Sequence, residues 1–121
     1  MDIVELEKQP LEKLREEAKE LDIPKASRLK RENLMIRIRQ AEAEKEGLEV
    51  RGGILEIMNE GIGFLRMNYQ IGPEDVYVSQ AQLRRHDLRS GDMVIGHVRP
   101  PRESERHYGL LKVESINGSG L

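Results

Sequence analysis

Apolar positions recur with two different periods along the chain, and the change from one to the other falls near Glu46-Gly47. Before it, Leu11, Leu14, Ala18 and Leu21 are spaced by three and four residues, which places them on one face of a helix, with Pro10 suited to the first turn. Asp22-Ile23-Pro24 stops that segment. Leu34, Ile38 and Ala41, with Met35 alongside, repeat the helical spacing, and Ser27 or the Lys-rich stretch after it supplies the start. A short leading helix through Ile3 and Leu6 makes a third. A unit this small lies near the roughly 40-residue size below which a lone domain usually needs a disulfide or a metal. It is therefore expected to dock on the second half of the chain.

Beyond Gly47 the period shortens to two. Gly53 to Met58 alternates, with Leu55 and Ile57 on one face and Ile54, Glu56 and Met58 on the other, and Asn59-Glu60-Gly61 has the composition of a turn. Further strands are predicted at Ile62 to Arg66, Val76 to Val78, Met93 to Val98 and Tyr108 to Val113. Ser79 to His86 reads instead as a short helical turn capped by Ser79. Five short strands with one helical insertion suit a small antiparallel barrel of the OB type, in which closure removes the exposed edges. The expected class is α+β: a small three-helix subdomain, residues 1–46, packed on a five-stranded OB-type β-barrel, residues 47–121.

Charge and composition narrow the classes of function. The 121 residues carry 20 Lys plus Arg against 22 Asp plus Glu, a net charge of -2, so blanket neutralisation of phosphates cannot be the source of any nucleic-acid affinity. Cys is absent and His86, His97 and His107 are scattered, so no metal is expected. No apolar run approaches a membrane span, and the first residues lack the basic and apolar regions of a signal peptide, which predicts a cytoplasmic protein with no membrane partner. There is no Gly-x-x-x-x-Gly-Lys-Ser/Thr loop and no nucleophile with a base beside it, so this chain is not expected to be an enzyme. Glu74-Asp75 is a pair of carboxylates, but neighbours in a turn more often cap and solubilise than catalyse.

Period two makes a sharper statement about the barrel surface. If Leu65 and Gly63 face inward, then Ile62, Phe64 and Arg66 share the outer side, and two inward valines at 76 and 78 turn Tyr77 outward. Rings beside Arg66 and Asp75 suit single-stranded nucleic acid, whose bases stack on rings and whose edges meet charged side chains. A lone Phe in a strand is more often core than platform, and Tyr77 could be an ordinary rim residue. Yet aromatics make up only 3% of the chain, and two of them on an outward register are hard to explain by packing.

Several segments, in order, carry a resemblance. They are Gly52 to Ile57, Gly61 to Arg66, Gly72 to Ser79, Gln82 to Arg85, Leu88 to Asp92, and Arg99-Pro100-Pro101-Arg102 through Glu105-Arg106 to Leu110-Leu111-Lys112-Val113, and with Leu11 to Leu21, Ile23, Arg28, Lys30 and Leu34 before them they span nearly the whole chain. They resemble the N-terminal RNA-binding region of the bacterial Rho transcription termination factors. The resemblance implies a cold-shock-like OB domain that binds pyrimidine, preferably cytosine-containing, single-stranded RNA, with single-stranded DNA as a substitute. It implies that Phe64 and Tyr77 stack on neighbouring bases, that Arg66 and Asp75 read the cytosine edge, that Glu105 and Arg106 line the same pocket, and that Met58 is an apolar neighbour. Two positions depart from the family: Ile62 stands where an aromatic residue is common, and His107 where Tyr is.

The resemblance also implies a larger setting. Family members are homohexameric, RNA-dependent ATPases and helicases that load nascent RNA to end transcription, working beside transcription-elongation proteins. ATP and Mg then belong to a motor domain after this region, and a chain stopping at Asn117 to Leu121 looks like an excised, monomeric domain that needs no cofactor. A reading of another class stays open: a protein-interaction module that uses the Ile62, Phe64 and Tyr77 surface, since exposed apolar residues rimmed by charge also mark docking patches.

Overall fold

Each helix begins where the chain can be held outside it. The computed structural model describes residues 2–67 and 69–120. In it, α1 (Ile3–Lys8) is capped by Asp2, whose Oδ1 accepts from the Glu5 amide at 2.9 Å. Helix α2 (Leu11–Glu20) follows Pro10 directly. Helix α3 (Arg31–Lys45) begins after Lys30, later than Ser27, so the Lys-rich stretch rather than the serine marks its start.

Helix α3 also departs from the one-faced pattern expected of it. Besides Leu34, Met35 and Ile38 it buries Asn33, Ile36, Arg39 and Ala43, while Ala41 is half-buried. The reason is its position. Helices α1 and α2 pack on one flank and the sheet on another, so no single stripe describes what it covers. Within α2, Leu14 and Ala18 are fully buried whereas Leu11, at the first turn, is exposed.

The strands are β1 (Val50–Ile57), β2 (Gly63–Arg66), β3 (Val76–Val78), β4 (Met93–Arg99), β5 (Tyr108–Ile116) and β6 (Ser119–Gly120), with α4 (Gln80–Arg85) between β3 and β4. Their order is β3-β2-β1-β4-β5-β6, and a parallel pairing of β3 with β5 closes five of them into a barrel of the OB type. The two-residue β6, which period-two patterning cannot resolve, folds back on β5. Strand β1 serves both sides of the barrel: residues 50–54 pair with β4 and residues 54–57 with β2. Helix α4 is the turn expected at Ser79, closed by a reciprocal capping box between Ser79 and Gln82.

Two cores result. Leu55, Leu65, Val76, Val78, Val94, Val98, Leu110 and Val113 fill the barrel, with Leu83 of α4 at its end. The alternate residues Val50, Ile54, Met93 and Ile95 point outward and meet Ile3, Leu6, Leu14, Leu34 and Ile38 of the helices. Burying each such side chain stabilises the fold by about 1.5–3 kcal/mol. Helices therefore sit on part of the barrel's outer face. Gly52 permits the contact, because a Cβ there would lie 3.3 Å from Ile36 Cγ2 and 2.7 Å from the Val94 carbonyl oxygen. No described helix is long and apolar enough to cross a membrane.

Candidate nucleic-acid interface

The strand registers set one row of positions around the part of the barrel that the helices leave bare. Glu56 of β1 lies opposite Phe64 of β2, Phe64 opposite Tyr77 of β3, Tyr77 beside Gly109 of β5, and Gly109 opposite Arg99 of β4. Their inward neighbours Leu55, Leu65, Val76, Val78 and Leu110 are buried, so alternation turns the row outward. A carboxylate, two rings, an empty position and a guanidinium thus stand side by side. The guanidinium of Arg99 leans over Gly109, 3.7 Å from where a Cβ would be.

Phe64 is the hub of the rings. Its centroid lies 6.0 Å from that of Tyr77, edge-on at 70°, and 4.9 Å from that of His107, tilted by 60°. The Arg66 guanidinium carbon is 5.0 Å from the Phe64 centroid, a cation–π distance. Phe64 is half-buried by this company, while Tyr77 remains 37% exposed. Tyr77, His107, Glu105, Arg106, Arg99 and Gly109 line a cavity of about 330 Å³, large enough for a nucleobase.

Arg66 and Asp75 differ from the open pair that sequence alternation suggests: only 5% and 2% exposed, they are paired with each other. Arg66 Nη1 donates to Asp75 Oδ2, Arg66 Nε donates to Glu56 Oε1 at 2.6 Å, and Arg66 Nη2 lies 3.7 Å from Met58 Sδ. The Gly72 amide also donates to Asp75 Oδ2, at 3.1 Å. Burial works against the charge on Arg66, but the hydrogen bonds it donates to Glu56 and Asp75 outweigh it and hold its pKa above the ordinary guanidinium value. Arg66 is thus a fixed cation at the back of the ring cluster.

The loop after β4 is braced separately. Arg99 Nη1 and Nη2 donate to the two Glu105 oxygens at 2.7 and 2.9 Å, and the Arg102 amide donates to Glu105 Oε1 at 2.9 Å. The Arg99 hydrogen bonds, aided by that amide, lower the Glu105 carboxyl to a pKa of about 2. Arg106 projects into solvent beside them.

Of the expected site residues, the fold gathers Met58, Phe64, Arg66, Asp75, Tyr77 and His107 into one contact network and places Glu105 and Arg106 at its rim. Ile62 stands apart: it is half-buried at the β1–β2 turn, where its carbonyl accepts from the Met58 amide at 2.8 Å. Glu56 and Arg99 escape sequence reasoning because nothing local distinguishes them from solvated charge; strand register alone puts them in the row. Tyr69 also escapes it: 68% exposed, it borders a second hollow of about 270 Å³ with Glu56, Arg66 and Ser90.

Comparison with known proteins agrees over nearly the whole chain. Residues 5–47 match the family model for the Rho termination factor N-terminal domain, and residues 51–121 match that for the Rho termination factor RNA-binding domain. The chain is 49% identical over 118 residues to transcription termination factor Rho of Bacillus subtilis, covering 96% of this chain and 28% of that protein. To the factors of Pseudomonas aeruginosa and Escherichia coli it is 41% and 38% identical over 121 residues, covering 97% of this chain and 29% of each of those proteins. It spans less than a third of the length of these curated relatives. An OB-type barrel under three short helices, with a ring cluster on its bare face and both domain models matched in order, shows that the chain belongs to the Rho transcription termination factor family.

Proposed function

We propose that the bare face of the barrel binds single-stranded RNA and prefers cytosine. The observation that carries this reading is the pair of adjoining rings, Phe64 and Tyr77, with the Arg66–Asp75 pair at their edge. Stacking on rings contributes about 1–3 kcal/mol per base and accepts any base. Identity must come from the base edge. Cytosine offers the N4 amino donor next to the N3 acceptor, so Asp75 accepts from N4 and Arg66 donates to N3 or O2. Uracil has a carbonyl oxygen where Asp75 needs a donor. A neighbouring base enters the cavity between Tyr77, Glu105, Arg106 and His107; Met58, beside Arg66, and Ile62, at the β1–β2 turn, add apolar surface outside it.

Exposed Arg84, Arg85, Arg102 and Arg106 supply a few phosphate contacts, each adding about 0.7 to the logarithmic salt slope for a single strand. Single-stranded DNA, which carries the same base edges, is a substitute ligand. Residues 1–46 brace the barrel and residues 47–121 bind. This part of the protein does no chemistry and needs no metal or nucleotide cofactor, and in a cytoplasmic hexamer six such sites on one transcript gain through effective concentration what each lacks alone. A calorimetric or fluorescence titration with short oligocytidine, oligouridine and duplex DNA tests the reading. It expects selective oligocytidine binding that Phe64→Ala and Tyr77→Ala each weaken by about 1–3 kcal/mol. Binding indifferent to both substitutions, or none at all, would leave the row as a protein-docking patch.

A further inference from the structure

We infer that Glu56 is a specificity-determining positioning residue, which holds Arg66 to Asp75 by one arm so that the pair presents a donor and an acceptor to a cytosine edge. The inference rests on the RNA-binding reading above and adds a residue which that reading does not use. Its basis is a comparison with two arginines that grip a carboxylate with both Nη atoms, whereas Arg39, like Arg66, bonds one by Nε, at 2.8 Å from Glu114 Oε1. Arg37 grips Glu74 with Nη1 and Nη2 at 3.2 and 2.8 Å, and Arg99 grips Glu105 with the same two atoms. That two-armed fork is the ordinary geometry of a guanidinium on a carboxylate.

Arg66 does not adopt it. Its Nη1 goes to Asp75, its Nε to Glu56, and its Nη2 faces a thioether, a weak acceptor. Among the described residues, both hydrogen bonds that the Asp75 carboxylate accepts fall on Oδ2, from Arg66 and from the Gly72 amide. The arrangement keeps Nη2 as a donor and Asp75 Oδ1 as an acceptor, the complement of N3 and N4 on cytosine. Remove the hold on Nε, and Arg66 is free to swing onto Asp75 with both arms, as Arg37 and Arg99 hold their carboxylates. Both reading groups would then be occupied by each other. Glu56 is itself exposed at 54% of its side chain, so its loss leaves Arg66 still paired with Asp75 and strands no buried charge.

The test titrates oligocytidine and oligouridine RNA against the unaltered chain, Glu56→Ala and Glu56→Gln, and follows the Arg66 Nε–H signal by nitrogen-15 NMR in the free proteins. In Glu56→Ala the preference for cytidine over uridine should fall about tenfold, the scale of one lost edge contact, with oligouridine affinity unchanged and the Nε–H signal shifted. Glu56→Gln, whose amide oxygen still accepts from Nε, should restore most of the preference. A Glu56→Ala protein that keeps the full preference overturns the inference, as does one that loses both RNAs equally, because that marks a merely structural role. An unaltered chain without cytidine preference overturns the RNA reading itself, and that failure shows before any substitution is made.

Discussion

Three outward positions of β1 tell two different stories. At Gly52 and Ile54 the outer face is core: Ile36 of α3 closes over the glycine, and Ile54 is 6% exposed beneath the helices. Two residues further on, Glu56 points the same way, is uncovered, and holds an arginine beside an aromatic ring. What separates them is only the end of the helical cover. A barrel surface becomes interior where helices sit on it and a recognition surface where they do not, and apolar against charged residues follow that line along a single strand.

The strongest way to break this contrast is to remove the cover. Ile38→Ala, at a fully buried position in α3, should cost about 2–5 kcal/mol by denaturant titration. Since Ile38 shares a core with Val50, Ile54 and Ile95, helices and barrel should unfold in one transition, and two separate transitions would refute a shared core. Next in size is Gly53→Ala. A Cβ there would come within 2.7 Å of the Arg66 amide nitrogen, so the β1–β2 approach must give, at about 1–3 kcal/mol, and Arg66 must shift with it. RNA binding should weaken more than the loss of stability explains.

On the bare side the expectation reverses. Tyr77→Ala should leave unfolding nearly unchanged yet cost about 1–3 kcal/mol of RNA affinity; a large drop in stability would make Tyr77 a core residue after all. Acidification gives the smallest effect. Glu105 titrates at about 2 in the fold against an ordinary value of 4.5, so its contribution is fully present above pH 4.5 and is lost as pH falls toward 2. Glu74, lowered by its hydrogen bonds with Arg37, acts in the same direction. Stability measured from pH 7 down to 5 should be flat with respect to both groups, and Glu105→Gln should flatten the slope below pH 4.5.

The legibility of the sequence follows the same line. Alternation at Ile54-Leu55 and at Val76-Tyr77-Val78 assigns inside and outside correctly, because one face of each strand is dry and the chain can report that locally. Helix α3 resists the same treatment: with helices on one flank and a sheet on the other, it has no single apolar stripe to read. Phe64 and Tyr77 stand out as rare rings in an outward register. Glu56 and Arg99 do not, since a charge that completes a site looks like any other surface charge until strands from elsewhere are laid beside it. Nor can spacing reveal that Arg66 and Asp75 face each other.

The parallel pairing of β3 with β5 has a kinetic consequence. Val76 meets Tyr108 and Tyr77 meets Gly109 only after α4 and β4 have been threaded between them, so this is a distant contact whose loop must close before it is rewarded. Phe64 and Tyr77 can meet in the local β2–β3 pair, but His107 arrives with β5. The complete ring cluster therefore comes into being with barrel closure and not before. An unclosed intermediate would carry much of the strand structure and lack the site, so recovery of RNA binding during refolding would time the last step of folding.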